Sequence, residues 1–231
     1  MIRDILLFMI TPDFNSLTRA EQYFYSDRWP DFLFVNRYPV LGILWNIFLL
    51  LIPFFLCLVL IKYWKKNGFN KIYQKIIAGF TWFLWLLFIP NTAYIITDVR
   101  HISGYCDDTS IYRVCPENAW MIIFFFIYAI VGWVGVVYLL RQMKKFIKDI
   151  KGSLTSNIFI VLIIPLISLG VLLGLINRWN SWEFFLNPQD IFNSIKLYFT
   201  NFIYFKNFVI FTLGFYVLYF VGDKLFKKIN D

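Results

Sequence analysis

Histidine is almost missing from this chain: His101 is the only one in 231 residues. That excludes HExxH and multi-histidine zinc sites, which need at least two imidazoles held together. Cysteine is scarce too. Cys57, Cys106 and Cys115 form no CxxC pair and no other zinc-ligand spacing. There is no Ser/Gly/Pro linker, low-complexity tract or repeat of solenoid period, so one compact unit is the organisation left. Acids are outnumbered, 14 against 22 lysines and arginines, for a net charge of +8.

What the chain has in excess is apolar surface. Hydrophobic residues make up 60% of it, with 28 phenylalanines, against roughly 45–50% in soluble domains. No soluble fold of this length can bury that much. Five runs reach the about 20 residues a helix needs to cross a hydrocarbon core. They are residues 40–61, 76–97, 119–140, 158–177 and 202–222. The fifth has Lys206 and Asn207 near its start, where a lysine can snorkel to the interface.

The expectation is therefore an all-α polytopic membrane bundle of five transmembrane helices, with short interfacial helices outside it. Residues 1–39 form an external or interfacial arm, 40–222 the transmembrane domain and 223–231 a cytoplasmic tail. The apolar run at residues 5–10 is too short for a sixth span. It lacks the basic flank and small-residue cleavage site of a signal peptide. Phe24, Trp29, Phe32 and Phe34 suit an arm dipping into the headgroups.

Charge placement sets the expected orientation. Lys62, Lys65, Lys66, Lys71 and Lys75 follow the first span, and Arg141, Lys144, Lys145, Lys148 and Lys151 follow the third. Lys224, Lys227 and Lys228 lie in the tail. These thirteen of 22 basic residues fall on one side with only Asp149, Asp223 and Asp231. The positive-inside rule then puts the N-terminus outside and the C-terminus in the cytoplasm. The same lysines read as topology and anionic-lipid contacts, not a nucleic-acid surface. The nearby Tyr63, Trp64, Phe69 and Tyr73 read as an interfacial belt.

In this topology Cys106 and Cys115 share an external loop, where thiols commonly pair, and a Cys106–Cys115 disulfide is expected. Cys57 falls inside the first span as inert packing. After the fourth span, Asn187 suits a cap and Pro188 the first helical position. Ile191, Phe192, Ile195, Tyr198 and Phe199 then line one face of a surface helix.

Polar residues stand out against the Phe, Leu and Ile of the spans, and they gather at the external end. The second span closes on Phe-Ile-Pro-Asn-Thr-Ala-Tyr-Ile-Ile-Thr-Asp. Pro90 cannot donate to the carbonyl of Leu86, so a kink and a freed carbonyl are expected. On a continued helix, Asn91, Tyr94, Asp98 and His101 share one face. Asp98 and His101 are spaced to bind a metal or to act as acid and base, or to cap a helix end. Glu183 is a further carboxylate that could serve in catalysis.

The fourth span carries Gly170 and Gly174, a pattern that lets a neighbouring helix approach closely. It runs into Asn177, Arg178, Asn180 and Ser181. An arginine at that depth needs a partner, with Asp98 first and Glu183 second. Trp179 and Trp182 read as interfacial belt. Asn46 brings the first span to the same level, and Pro53 kinks that span further in. The expected ligand-binding set is thus Asn46, Asn91, Tyr94, Asp98, Arg178, Asn180 and Ser181.

Two stretches carry a family resemblance. Leu-Leu-Phe-Ile-Pro-Asn-Thr-Ala-Tyr-Ile-Ile-Thr-Asp-Val-Arg-His and Arg-Trp-Asn-Ser-Trp-Glu-Phe-Phe-Leu-Asn-Pro resemble the signatures of a bacterial multi-pass membrane family, domain of unknown function 1361. The Leu-Trp-Asn-Ile-Phe-Leu run with Pro53 is similar to its first-span pattern. Thr92 and Ala93 stand where the family has Ala-Pro, and Glu183 where it has Asp. The similarity runs from about Leu33 to Tyr219. It implies a bacterial cytoplasmic membrane and no particular activity or cofactor.

Three function classes stay open. A binding or accessory protein would hold a lipid headgroup, a small polar ligand or a membrane-protein partner at the polar cluster. A membrane enzyme, a hydrolase or transferase on a lipid-linked substrate, would use Asp98 and His101 as acid–base or metal groups and Arg178 as an anion clamp. A transporter or channel subunit would use the broken second span, although five spans give no inverted repeat.

Overall fold

The computed structural model describes residues 34–35, 38–67, 71–103 and 119–230. In chain order a two-rung antiparallel pair, β1 (Phe34–Val35) and β2 (Tyr38–Pro39), leads into α1 (Val40–Asn67). Then come α2 (Ile72–Tyr94), a 3-10 helix (Ile95–Ser103), α3 (Trp120–Lys151) and α4 (Ser153–Leu175). The short α5 (Glu183–Leu186) and α6 (Pro188–Thr200) precede α7 (Phe202–Asn230). The fold is an all-α helix bundle, as the apolar runs require. The N-terminal arm with Phe24, Trp29 and Phe32, and the external cysteines Cys106 and Cys115, lie outside the described residues.

α1, α2, α3, α4 and α7 are each long and apolar enough to cross a membrane. Their outward faces carry Phe55, Phe80, Phe126, Leu162 and Phe202, all more than half exposed. Keeping such side chains in water forfeits roughly 25 cal/mol for each Å² of apolar area. A lipid bilayer is the surrounding in which these faces cost nothing.

The helices outrun the hydrophobic runs. Arg141 to Lys151, which the lysine pattern reads as a loop, is the last three turns of α3. Arg, Gln, Met and Lys are good helix formers, and cations near a C-terminus are favoured by the helix dipole. The helix stops only at Gly152, whose φ of 88° no residue with a Cβ adopts cheaply. α4 starts at the next residue, so the chain reverses in one glycine.

α3 packs against α1, α2, α4 and α7, and α7 lies on α4 as well. The core between them holds Trp85 and Ile89 from α2, Leu139 and Met143 from α3, Ile164 and Ile167 from α4, and Tyr219 from α7. Cys57 is buried in it.

Two repairs tie α7 in. Pro165 inside α4 cannot donate to the carbonyl of Val161, and the Tyr216 hydroxyl on α7 donates to that oxygen at 2.5 Å. Near the lysine-bearing helix ends, Arg141 pairs with Asp223 at 2.6 Å and lies over the Phe226 ring, while Lys227 meets Asp223 at 2.9 Å. Arg141 is thus a stitch between α3 and α7.

Candidate functional site

The polar residues do converge at the helix ends opposite the lysines, on α1, α2, α4 and the turns after α4. They do so in two separate groups. The division arises where α2 changes pitch. α2 runs through Pro90 to Tyr94 and then tightens to the 3-10 helix, with three residues per turn. The tighter winding turns Asp98 away from the face of Asn91. The one-face arrangement expected of a continued helix is therefore not formed.

The first group is closed. Asp98 is 1% exposed, and its Oδ2 accepts a hydrogen bond from Asn46 Nδ2 at 3.0 Å. The bond joins α1 to the chain after α2, 52 residues apart. Tyr128 of α3 places its buried hydroxyl beside this pair, within reach of the Asp98 charge, and makes no hydrogen bond of normal geometry. Arg100 and Arg178 act on Asp98 through space. His101 lies within the 3-10 helix, and its side chain is outside the described residues. No group of three metal-ligating side chains occurs among the described residues.

The second group is open. Asn91 Nδ2 donates to Ser181 Oγ at 2.9 Å, and the Ser181 hydroxyl donates to the carbonyl of Leu87 at 2.9 Å. A serine brought from the far side of α4 thus satisfies backbone in the turn that Pro90 disturbs, one residue on from the expected Leu86. Gly170 makes this possible. A Cβ there would sit 2.5 Å from Pro90 Cγ, so α2 and α4 touch only because the side chain is absent. At Gly174 an added Cβ would lie 3.4 Å from the Tyr94 ring, an ordinary van der Waals contact, so only Gly170 is required by the close approach. The Tyr94 hydroxyl accepts from Arg100 at 2.9 Å, and that guanidinium lies 5.7 Å over the ring.

α4 ends at Leu175, and the chain then reverses. Arg178 takes a left-handed φ of 62°, which costs a non-glycine residue about 1–2 kcal/mol. It is exposed and makes no ion pair among the described residues, so the expected contact with Asp98 or Glu183 is not formed. Glu183 caps the turn instead: its Oε2 accepts from the Asn180 backbone N–H at 2.5 Å and from Asn180 Nδ2 at 3.2 Å. Glu183 is fully buried and its Oε1 has no partner among the described residues. Burial pushes its carboxyl above the usual carboxylate range, while the two Asn180 donors pull it back down.

Trp179, expected in an interfacial belt, is buried within the protein. It is 8% exposed, and its indole N–H donates to Ser194 Oγ on α6 at 2.9 Å. Tyr198 on the same helix donates to Asn177 Oδ1 at 2.9 Å. These two bonds dock α6 against the end of α4. Of the stripe expected on α6, Ile191 and Tyr198 are buried, whereas Phe192 and Phe199 face outward. Pro188 opens the helix as expected, but Asn187 makes no side-chain cap.

Docked in this way, α2, α4, α5 and α6 enclose a partly open cavity of about 220 Å³. Phe83, Leu86, Leu166, Leu169 and Leu173 form its apolar wall, and Asn91, Tyr94, Asn180 and Ser181 line its polar end. The profile of the family described as Protein of unknown function (DUF1361) matches residues 45–221. The chain belongs to that family. No curated protein and no solved structure matches it.

The DUF1361 region takes in both polar groups and the whole cavity lining. Chemically the lining offers amides, one hydroxyl and one phenol, all hydrogen-bonding groups that are neutral in water near pH 7. Asp98 is committed to Asn46, and Glu183 to Asn180. Sequence reasoning missed Tyr128, Arg100 and Ser194. Tyr128 was legible as the lone hydroxyl in a run of phenylalanines, and Arg100 as part of the signature stretch. Ser194 carries no signal until α6 is docked.

Proposed function

We propose that this DUF1361 protein is a binding or accessory protein of the bacterial cytoplasmic membrane. Its N-terminus is outside, its C-terminus is cytoplasmic, and its polar site is at the extracytoplasmic ends of α1, α2 and α4, with the ligand cavity itself on α2 and α4. The thirteen basic residues near one set of helix ends support this orientation. The carrying observation for the site is the cavity: an apolar wall that ends in four neutral hydrogen-bonding side chains. Pockets with apolar walls and a few convergent polar groups are the usual form of ligand sites.

In this reading Asn91, Tyr94, Asn180 and Ser181 contact the ligand. Asn46 and Asp98 hold the helices that carry them, and Arg178 precedes the lining residues Trp179 and Asn180 on the same turn. The lining favours binding over hydrolysis or group transfer, because neither Asp98 nor Glu183 faces the cavity.

The test is co-purification. The wild-type protein and Asn91→Ala are isolated in mild detergent, and bound lipids and proteins are identified by mass spectrometry. The expected result is a lipid or protein that is retained by the wild type and lost from the folded variant. Identical retention by both removes the site.

A further inference from the structure

The cavity's shape says more about its occupant than its polarity does. Its lining on α2 runs from Phe83 to Tyr94 and on α4 from Leu166 to Gly174. At 1.5 Å per residue those stretches are about 16 Å and 12 Å long. Half of a bilayer's hydrocarbon core is about 15 Å. The cavity therefore runs along the helix axes for one leaflet's depth, apolar below and polar at the end. A soluble polar ligand would leave most of that wall unused.

The polar end has unused capacity. Asn91 spends an amide hydrogen on Ser181, and Asn180 spends one on Glu183. Among the described residues the carbonyl oxygens of both amides accept nothing, so they can receive hydrogen bonds from hydroxyl groups. Arg178, on the turn that continues into Trp179 and Asn180, is exposed, held at positive φ and without an ion pair among the described residues. Backbone held in that region clusters at ligand sites. Guanidinium is the side chain best matched to phosphate.

We infer that the cavity holds one acyl chain of an anionic, hydroxyl-bearing phospholipid of the outer leaflet. The head hydroxyls meet Asn91 and Asn180, and the phosphate meets Arg178. A volume of about 220 Å³ takes part of one chain and leaves no room for another, so the second stays in the bilayer. This inference rests on the binding reading above and names its ligand class.

The probe is phosphatidylglycerol with a diazirine near the end of one acyl chain, added to the full chain in phosphatidylcholine nanodiscs. After irradiation, cross-links are mapped by mass spectrometry. Labelling should concentrate on Phe83, Leu86, Leu166 and Leu169. Leu169→Trp, which fills the cavity, should remove it. Arg178→Ala should weaken capture of this probe by about tenfold and leave capture of the matching diacylglycerol unchanged.

Labels spread evenly over outward residues such as Phe55 and Leu162 would overturn the inference, and this wild-type map decides even where the tryptophan variant fails to fold. Glycerol 3-phosphate is the control for a free phosphate ester. If it displaces the probe as well as unlabelled phosphatidylglycerol does, the site takes a soluble ligand: the lipid inference fails and the binding reading stands. If neither probe reaches the cavity and co-purification is unchanged in Asn91→Ala, both fail together.

Discussion

Asn46–Asp98 and Asn91–Ser181 lie at the same end of the same bundle and do opposite things with the same kind of bond. Asp98 is 1% exposed, and its Oδ2 joins α1 to the chain after α2. Asn91 and Ser181 bridge α2 to the turn after α4, and both still face a cavity. A polar residue inside a span is thus not by itself a site. Its partner decides: an asparagine that closes on a buried carboxylate makes a lock, and one that closes on a serine at a cavity rim leaves groups to spare.

The largest expected effect is on the closed side. Asp98→Ala leaves the half-buried Asn46 amide without its partner, so the loss should approach that of a hydrogen bond to a charged group, about 1.5–3 kcal/mol. Thermal unfolding in detergent measures it. Asp98→Asn keeps the volume and an acceptor oxygen, and should recover most of that loss. If Asp98→Asn instead keeps the stability and abolishes lipid capture, Asp98 acts on the ligand and the division into lock and site is wrong.

Next is the frame of the open side. Gly170→Ala places a Cβ 2.5 Å from Pro90 Cγ, and neither a helix backbone nor a proline ring can move far. Overpacking of this kind costs about 1–3 kcal/mol. Because Gly170 also lines the cavity, capture of the acyl probe should fall with it. Full stability in this variant would mean that α2 and α4 are further apart than described, and that the cavity is wider.

Glu183 sharpens the comparison through pH. Its folded-state carboxyl titrates above the unfolded value of 4.5. Below pH 4.5 both states hold the proton and the group is neutral in its effect. As pH rises past 4.5 the unfolded chain ionises first, so stability falls until the folded carboxyl ionises too. Glu183→Gln keeps an acceptor for the Asn180 N–H and removes the titration. The fall in stability that sets in above pH 4.5 should flatten in this variant. A slope that persists unchanged must come from other groups.

These residues also show what the sequence discloses. The five spans were legible because a run of about 20 apolar residues has one stable form in a bilayer. The convergence of Asn46, Asn91, Asp98, Asn180 and Ser181 at one end was legible too, because topology orders helix ends. Their partition was not. It depends on α2 tightening after Tyr94, on the left-handed Arg178 that ends the α4 direction, and on a helix docked through Trp179–Ser194. Each is a local departure from regular helix, and helical periodicity cannot anticipate where periodicity stops. The last turns of α3 were misread for the opposite reason: charge suggested a loop where nothing breaks the helix before Gly152.

The smallest expected effect is the most discriminating. Asn91→Ala removes one hydrogen bond at the cavity rim, where inter-helix bonds in membrane proteins average about 0.6 kcal/mol. Ser181 keeps its donation to Leu87, so no backbone group is orphaned. The alanine leaves space next to an existing cavity and not a sealed void, so the added cavity cost is small. Unfolding should therefore shift by about 1 kcal/mol at most, a fraction of the Asp98→Ala effect, while capture of the lipid probe drops. If Asn91→Ala is as destabilising as Asp98→Ala, the amide is a second lock, and the open cluster has no residue whose work is left for a ligand.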